Sequence, residues 1–592
     1  MNSIIRHRID YLREIMRSQC IDAFIIPSTD PHSGEYVPQH WEARQWLSGF
    51  TGSAGTVIVT LSEAALWTDS RYFIQATTQL SGTGIMLLKD GLPGTPNKIE
   101  WLSRKLPQNS TVGIDGWVNA SNSVLRLREQ LKGYGINLIS VPDPFEKIWT
   151  NRPSIPSNHP FILPLEYTGK TCVEKISLIR EYMEKQNADF LLLSALDEIA
   201  WTINMRGNDI PCNPVFLSYL LIGKDRATIY INKVKLTDLT FNYLLSNGIE
   251  VNGYDEIKTD LAHLNDNTIL LPPATNFALY EAVAKNNKVV TEDSPVLYMK
   301  AIKNEVETAG FRNCMLRDGI AMVRFIIWLK EAVKSGKETE TTVEHKLFEL
   351  RSEQEKFKGI SFDTIAGYQE HGAIVHYVGT KESALTLKPE GWLLLDSGGQ
   401  YLDGTTNITR TIVLGEITPC QRHDYTLVLK GMIALSRARF PIGTCGTQLD
   451  ILARQYLWAE SINYGHGTGH GVGHFLCVHE GPHQFRMNYM PAPLKPGMTV
   501  TNEPGIYREG LHGVRIENTM LIVDSIDRGF GKFCQFETLT LCPIDKEAIE
   551  VEMLDDVERE WLNSYHKKVY ESLAPHLNEQ ERQWLKQATE KI

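Results

Sequence analysis

The sequence contains no long apolar run, no paired cysteines and no basic bias, and each absence removes a class of function. No stretch approaches the roughly 18 apolar residues that span a bilayer. The amino-terminal MNSIIRHRIDYLREIMRSQ is a charged helical pattern, without the ~7–15-residue apolar centre of a signal peptide. A cytoplasmic protein that does not enter membranes is therefore expected. Nine cysteines are scattered through 592 residues with no C-x-x-C pair. That usage suits reduced thiols and argues against a structural zinc knuckle. A net charge of -11 offers no basic face for nucleic acid or anionic lipid. No low-complexity tract is present.

With 42% hydrophobic and 22% charged residues the composition is that of an ordinary globular protein. At ~100–200 residues per domain, three domains are expected. We place them at 1–151, 152–299 and 300–592, the last with a helical extension from about 545. In the first, DAFIIP (22–27) and GTVIVT (55–60) are short apolar runs bounded by Pro or Gly, as buried strands are. AALWTDSRYFIQATTQ (64–79) reads as a strand passing into a helix. NRPSIPSNHPFILP (151–164) has four prolines and no periodicity, and serves as a linker. The amphipathic EKISLIREYMEKQ (174–186) then precedes DFLLLS (189–194), the order in which YLREIMRSQ precedes DAFIIP. This echo fits either a duplicated α/β unit or two ordinary helix–strand pairs. Residues 304–336 give two helical patterns, with Met322, Phe325, Ile326 and Leu329 facing a core. Strands dominate from there to about 545. In the tail, Trp561, Leu562, Tyr565, Val569 and Leu573 recur at helical steps and dock on the body or on a partner subunit.

Chemistry concentrates in four stretches of the third domain. LLLDSGGQYLDGTTNITRTIVL (393–414) buries Asp396 and, after a turn, starts a second strand with Asn407. Two oxygen ligands on neighbouring strands suit a hard or borderline divalent cation. A straight hairpin about Asp403-Gly404 sets Asp396 opposite Thr411 rather than beside Asn407, and a buried Asp capping a turn is the alternative. YGHGTGHGVGHFLCVHEGPHQF (464–485) places glycines at 465, 467, 469, 471 and 473 among five histidines. The glycines disfavour helix and allow close backbone approach. In extended chain His466 and His470 share a face. The stretch is neither a Walker A loop, nor G-x-G-x-x-G, nor H-E-x-x-H. TNEPGIY (501–507) sets Glu503 before a Pro-Gly turn, and GVRIENTMLIV (513–523) sets Glu517 in an apolar strand. A Glu there must be paired or neutralised, either by Arg515 two residues before or by a metal. GAIVHYVG (372–379) puts His376 in an apolar strand, where a satisfied core histidine is the usual outcome. Asp396, Asn407, His470, Glu503 and Glu517 together form an O/N ligand set without thiolate. Such a set favours Mn, Co, Fe or Zn in a hydrolytic pair.

This constellation resembles the metallopeptidase family with the pita-bread fold, whose ligands run Asp, Asp, His, Glu, Glu. SGFTGSAGT (48–56), WTDSRYF (67–73), ALDEIAWTINMRGNDIPCNPVFLSY (195–219), GTGHGVGHFLCVHEGP (467–482), NEPGIYREGLHGVRIEN (502–518) and WLNSYH (561–566) are similar to the long, three-domain form of aminopeptidase P. The resemblance implies two related creatinase-like α/β domains followed by a pita-bread catalytic domain. It implies release of the residue preceding a second-position proline, through attack of a hydroxide bridging two metal ions, commonly Mn2+, with Zn2+ or Co2+ as alternatives. It also implies a homodimer acting on proline-containing peptides. By the same resemblance His376 and His479 contact the substrate and tetrahedral intermediate, and His466 lines the site. Glu503 moves the proton, Arg515 stands behind the ligands, and Arg71 reaches in from the first domain.

One position departs from the family. Asn407 stands where an aspartate chelates both metals, and an amide offers one neutral oxygen and an NH2 that ligates poorly. Weaker metal binding and impaired activity are expected. A metal-deficient pita-bread scaffold, or a prolidase restricted to dipeptides, are the other readings.

Overall fold

The computed structural model describes residues 2–592, which divide into two compact units. One runs through Pro164 and resumes at Lys170–Leu297; the other joins Leu165–Gly169 to Tyr298–Ile592.

The first unit contains two six-stranded sheets of identical topology. In the first sheet the order is Met86–Lys89, Ala64–Thr68, Thr56–Thr60, Ala23–Pro27, Thr111–Asp115, Asn137–Val141. In the second it is Ile249–Asn252, Ala227–Tyr230, Tyr219–Gly223, Phe190–Leu193, Thr268–Leu270, Lys288–Val290. The senses also match. Ala23–Pro27 pairs antiparallel with Thr56–Thr60 and parallel with Thr111–Asp115. Phe190–Leu193 does the same with Tyr219–Gly223 and Thr268–Leu270. The helix–strand echo is thus one topology used twice. Each leading helix has its reason in sequence. Ile5, Ile9, Leu12 and Met16 make the buried stripe of Asn2–Ser18, and Thr171 with Glu174 forms a capping box that starts Cys172–Lys185.

The second unit opens with one helix, Glu305–Ala332, where the sequence suggested two. Asn304 and Glu307 cap its start. Gly310 and Gly319 sit mid-helix because other backbone lies against them: a Cβ would come within 2.3 Å of the Asp403 carbonyl at one and of the Leu541 carbonyl at the other. Two three-stranded sheets follow. One orders Phe357–Ile360, Gly399–Tyr401, Gly404–Thr405; the other orders Ile365–Tyr368, Trp392–Ser397, Ile408–Val413. A six-stranded sheet then orders Arg439–Pro441, Phe533–Thr538, Asn518–Asp524, Thr499–Asn502, Gly469–Gly471, Glu480–Phe485. Two helices unforeseen in the sequence, Pro419–Ser436 and Gly446–Ala459, back these strands. The tail helix Asp556–Leu573 docks on this same unit, with Leu562, Val569 and Leu573 in one core with Trp392 and Tyr425. No described helix is long and apolar enough to cross a membrane.

Candidate metal centre

The site is built on facing strands whose register the hairpin turn sets. That turn is centred on Leu402-Asp403, one residue earlier than expected, since Tyr401 pairs with Gly404. Asp396 therefore lies opposite Thr409 rather than Thr411. Asn407 lies just ahead of strand Ile408–Val413, which begins one residue later than expected. Asp396 is buried, and its Oδ2 accepts from Arg515 Nη2 at 2.7 Å and Nε at 3.1 Å. Of the two readings left open for Glu517, the ion pair with Arg515 is therefore not the one formed. Arg515 serves Asp396, while Glu517 Oε2 accepts from the Thr409 hydroxyl at 2.8 Å. Glu517 falls in the break between strands His512–Arg515 and Asn518–Asp524, not within a strand. Arg410 holds that break: its Nη1 donates to the Glu517 carbonyl at 2.6 Å and its Nη2 to the Tyr565 hydroxyl of the tail helix at 2.8 Å.

His470 lies on the short strand Gly469–Gly471, between Thr499–Asn502 and Glu480–Phe485. The glycine run is required by its neighbour strand, for a Cβ on Gly469 would come within 1.9 Å of the Thr501 carbonyl. His470 Nδ1 donates to the Gly471 carbonyl at 2.8 Å, which turns the lone pair of Nε2 inward. Nε2 stands 3.4 Å from Glu503 Oε1 and 3.3 Å from Asn407 Nδ2. Glu503 follows strand Thr499–Asn502, with Thr501 Oγ1 donating to its Oε1 at 3.1 Å.

Ligand-type atoms of His470, Glu503 and Glu517 lie within 4.8 Å of one another. Burial, then the neighbouring Asp396 charge, pushes the Glu503 carboxyl up to about 7. Burial, then Asp396 and Glu503, pushes Glu517 well above the carboxylate range. Buried polar oxygens normally have partners. Among the described residues, Asp396 Oδ1, Asn407 Oδ1 and Glu517 Oε1 are buried without a hydrogen-bond donor. A cation is what such a set fits. Ligand-type atoms of Cys420, Asp424 and His512 also lie within 4.8 Å of one another. There Arg508 already holds both Asp424 oxygens, at 2.6 and 2.7 Å, and His512 adds a bond at 2.8 Å.

The other expected residues are distributed unevenly. The His479 ring stands edge-on to His470, with centroids 4.4 Å apart. His466 lies in a bend rather than an extended strand, and its Nε2 meets the Tyr507 hydroxyl at 2.7 Å. His376 is not in a strand, because His371–Ile374 and Ile374–Tyr377 bonds fold that apolar run into successive turns. Its neighbour Val375 offers a carbonyl to Arg515 Nη2 at 3.4 Å. Arg71 lies in the first unit, in a two-pronged ion pair with Asp69 at 2.8 Å. Tyr507 and Thr409 were not foreseen. Tyr507 accepts from Arg515 Nη1 at 2.7 Å and so links Arg515 to His466. Nothing in the sequence marks Tyr507.

The fold, with this set of oxygen donors and one imidazole, fits a hydrolytic metal centre. Residues 309–524 match metallopeptidase family M24, and 532–592 match the C-terminal region of peptidase M24. Residues 8–148 and 151–307 match creatinase/prolidase N-terminal domains. The chain is 41% identical over 590 residues to a probable Xaa-Pro aminopeptidase P of Tuber melanosporum (strain Mel28), covering 95% of each. It superposes with TM-score 0.97 on the crystal structure of an X-prolyl aminopeptidase from Caenorhabditis elegans, at 34% identity and covering 99% of this chain and 100% of that one. That relative is a cytosolic enzyme with a di-nuclear active site. The prolidase of Pyrococcus horikoshii OT3 shares the fold over 64% of this chain and 100% of its own, with TM-score 0.51 and 24% identity. This chain belongs to the M24 metallopeptidases, in the Xaa-Pro aminopeptidase P group, with two creatinase-type domains ahead of a pita-bread domain.

Proposed function

We propose that this chain removes the amino-terminal residue from peptides with proline second, as a cytoplasmic homodimer holding two divalent ions, Mn2+ first among them. The observation that carries this is the trio of buried, donor-less oxygens on Asp396, Asn407 and Glu517, beside His470 and Glu503. When bound, such ions supply Lewis acidity and bring the pKa of water toward neutrality.

The chain's own residues do the rest. Glu503 takes a proton on its carboxylate and returns it to the leaving proline nitrogen. His479 and His376 donate to the carbonyl oxygen as it gains charge. Arg515, buried and held firmly charged by Tyr507 and Asp396 against the cost of its burial, fixes Asp396 Oδ2 and so leaves Oδ1 to a cation. An Xaa-Pro bond has no N–H and a restricted preceding residue, so enzymes that grip that N–H fail on it and a dedicated pocket is needed.

Hydrolysis of an Arg-Pro-Pro peptide by metal-stripped protein, with and without Mn2+, tests the reading. Mn2+-dependent release of free arginine is expected. Cleavage confined to Xaa-Pro dipeptides would make the protein a prolidase. Silence from both this chain and Asn407→Asp would make it a binding module.

A further inference from the structure

Cys420 and Asp424 stand one turn apart at the start of helix Pro419–Ser436, and a spacing of four puts two side chains on one helix face. His512 meets them from the first position of strand His512–Arg515, where it pairs with Arg508 across the hairpin. A sulfur, a carboxylate oxygen and a ring nitrogen of the three lie within 4.8 Å of one another. Asp424 and His512 are buried and Cys420 is exposed, so the group opens to solvent on its sulfur side. The place already holds positive charge. Asp424 accepts from Arg508 Nε at 2.6 Å and Nη2 at 2.7 Å, and from His512 Nε2 at 2.8 Å. That guanidinium is replaceable, because the Arg508 side chain keeps 35% of its surface exposed and can turn out to solvent.

We infer that Cys420, Asp424 and His512 form a further metal site, outside the Asp396–Glu517 centre, which takes Zn2+ by displacing Arg508. A thiolate selects Zn2+, whereas the oxygen-rich centre suits Mn2+. Three protein ligands leave the fourth tetrahedral position to water. Ligand atoms about 2.0–2.3 Å from a tetrahedral ion lie about 3.3–3.8 Å apart, a closure the exposed Cys420 side chain supplies by rotation. On binding, the Cys420 thiol releases its proton to solvent, and His512 binds through Nε2 as a neutral imidazole with its proton on Nδ1. The ion takes the place of the hydrogen bond between His512 Nε2 and Asp424 Oδ2. It staples the start of the helix to the hairpin that carries Tyr507 and Arg515.

Co2+ is the probe, because a thiolate ligand gives it a charge-transfer band in the near ultraviolet. The reduced full-length chain, with Mn2+ in excess throughout, is titrated with Co2+. The native chain should develop that band, and Zn2+ should abolish it at a lower concentration than Co2+ needed to raise it. The Asp396–Glu517 centre cannot supply the band, because it offers no sulfur. Cys420→Ser, at an exposed position, should lose the band while its denaturation midpoint stays that of the native chain. Arg508→Gln should tighten Co2+ binding at least about tenfold, since the competing positive charge is gone. A native chain without the band, a band that persists in Cys420→Ser, or equal or weaker Co2+ binding in Arg508→Gln would overturn the inference. None of these results touches the peptidase reading.

Discussion

Arg515 shows how single residues set this site. One guanidinium meets Asp396 through two nitrogens and Tyr507 through a third, a fork no other side chain reproduces. Tyr507 passes its hydroxyl on to His466. Tyr507→Phe keeps the ring but leaves Arg515 Nη1 and His466 Nε2 without that partner. It should cost about 1–3 kcal/mol, the penalty of buried groups left unsatisfied, read by chemical denaturation. Glu503 acts on chemistry instead. Glu503→Gln cannot carry the proton, so kcat on an Xaa-Pro-Yaa peptide should fall by ~10²–10⁴ with a smaller change in KM. Equal kcat in the variant would remove Glu503 from the proton path. At this scale the sequence was most legible for buried acids, since a carboxylate in an apolar stretch announces an unmet need. It left open the partner of Arg515, whose neighbour in sequence is Glu517 but whose partner in space is Asp396. Same-strand spacing does not reveal which side chain stands opposite across a sheet, and a hairpin turn shifted by one residue moves that answer by two.

At the scale of elements, strands signalled themselves by apolar runs and the helices behind them did not. Pro419–Ser436 is largely buried, so its polar stripe is thin, and Gly446–Ala459 carries Ile451 and Trp458 on its exposed face, so both periodicities are faint. Their caps were the readable sign: Thr418 with Gln421 forms a capping box and Pro419 opens the helix. Gly310 and Gly319 do not interrupt Glu305–Ala332, because they are points where other backbone lies against one continuous helix. The hairpin Gly505–Arg508 with His512–Arg515 depends on such a contact. A Cβ on Gly513 would come within 1.7 Å of the Gly372 carbonyl, four residues before His376. Gly513→Ala should push these segments apart, lowering stability by about 1–3 kcal/mol as overpacking does. Peptidase activity should fall too, because Arg515 and His376 ride on the two displaced segments. Unchanged stability would show that the hairpin yields freely. The tail helix carries a different sensitivity. Burial holds His566 neutral, its pKa lowered to about 3, and Nε2 accepts from the Ile544 N–H at 3.1 Å. In the unfolded chain it titrates near 6.5. Protons therefore favour the unfolded state between those values: this contribution is complete above about pH 6.5 and is lost as pH falls toward 3. His566→Gln cannot protonate. It should flatten the acid side of the stability profile by up to about 1.4 kcal/mol per pH unit, measured by denaturation at pH 7 and pH 5.

For the whole molecule, topology was legible where the chain repeats itself and illegible where distant segments converge. The helix–strand echo in the first unit matched a sheet order used twice, because each copy folds from a contiguous stretch of sequence. The metal centre has no such contiguity. Asp396, His470, Glu503 and Glu517 come from separate strands or strand ends of the second unit, and only their order along the chain, matched to a family pattern, joined them beforehand. That dispersal makes metal binding a property of the folded state alone. A ligand bound only by the folded state stabilises it by RT ln(1 + [L]/Kd), about 2.7 kcal/mol when present at a hundred times Kd. Mn2+ should therefore raise the hydrogen-exchange protection of Trp392–Ser397 and Asn518–Asp524, and a chelator should reverse the gain. The strand Ala23–Pro27, which belongs to the other unit, should exchange at the same rate in both states. Equal protection of all three strands would mean that the ion acts elsewhere. Protection of the two site strands alone would tie the binding energy to the closing of four segments around one charge.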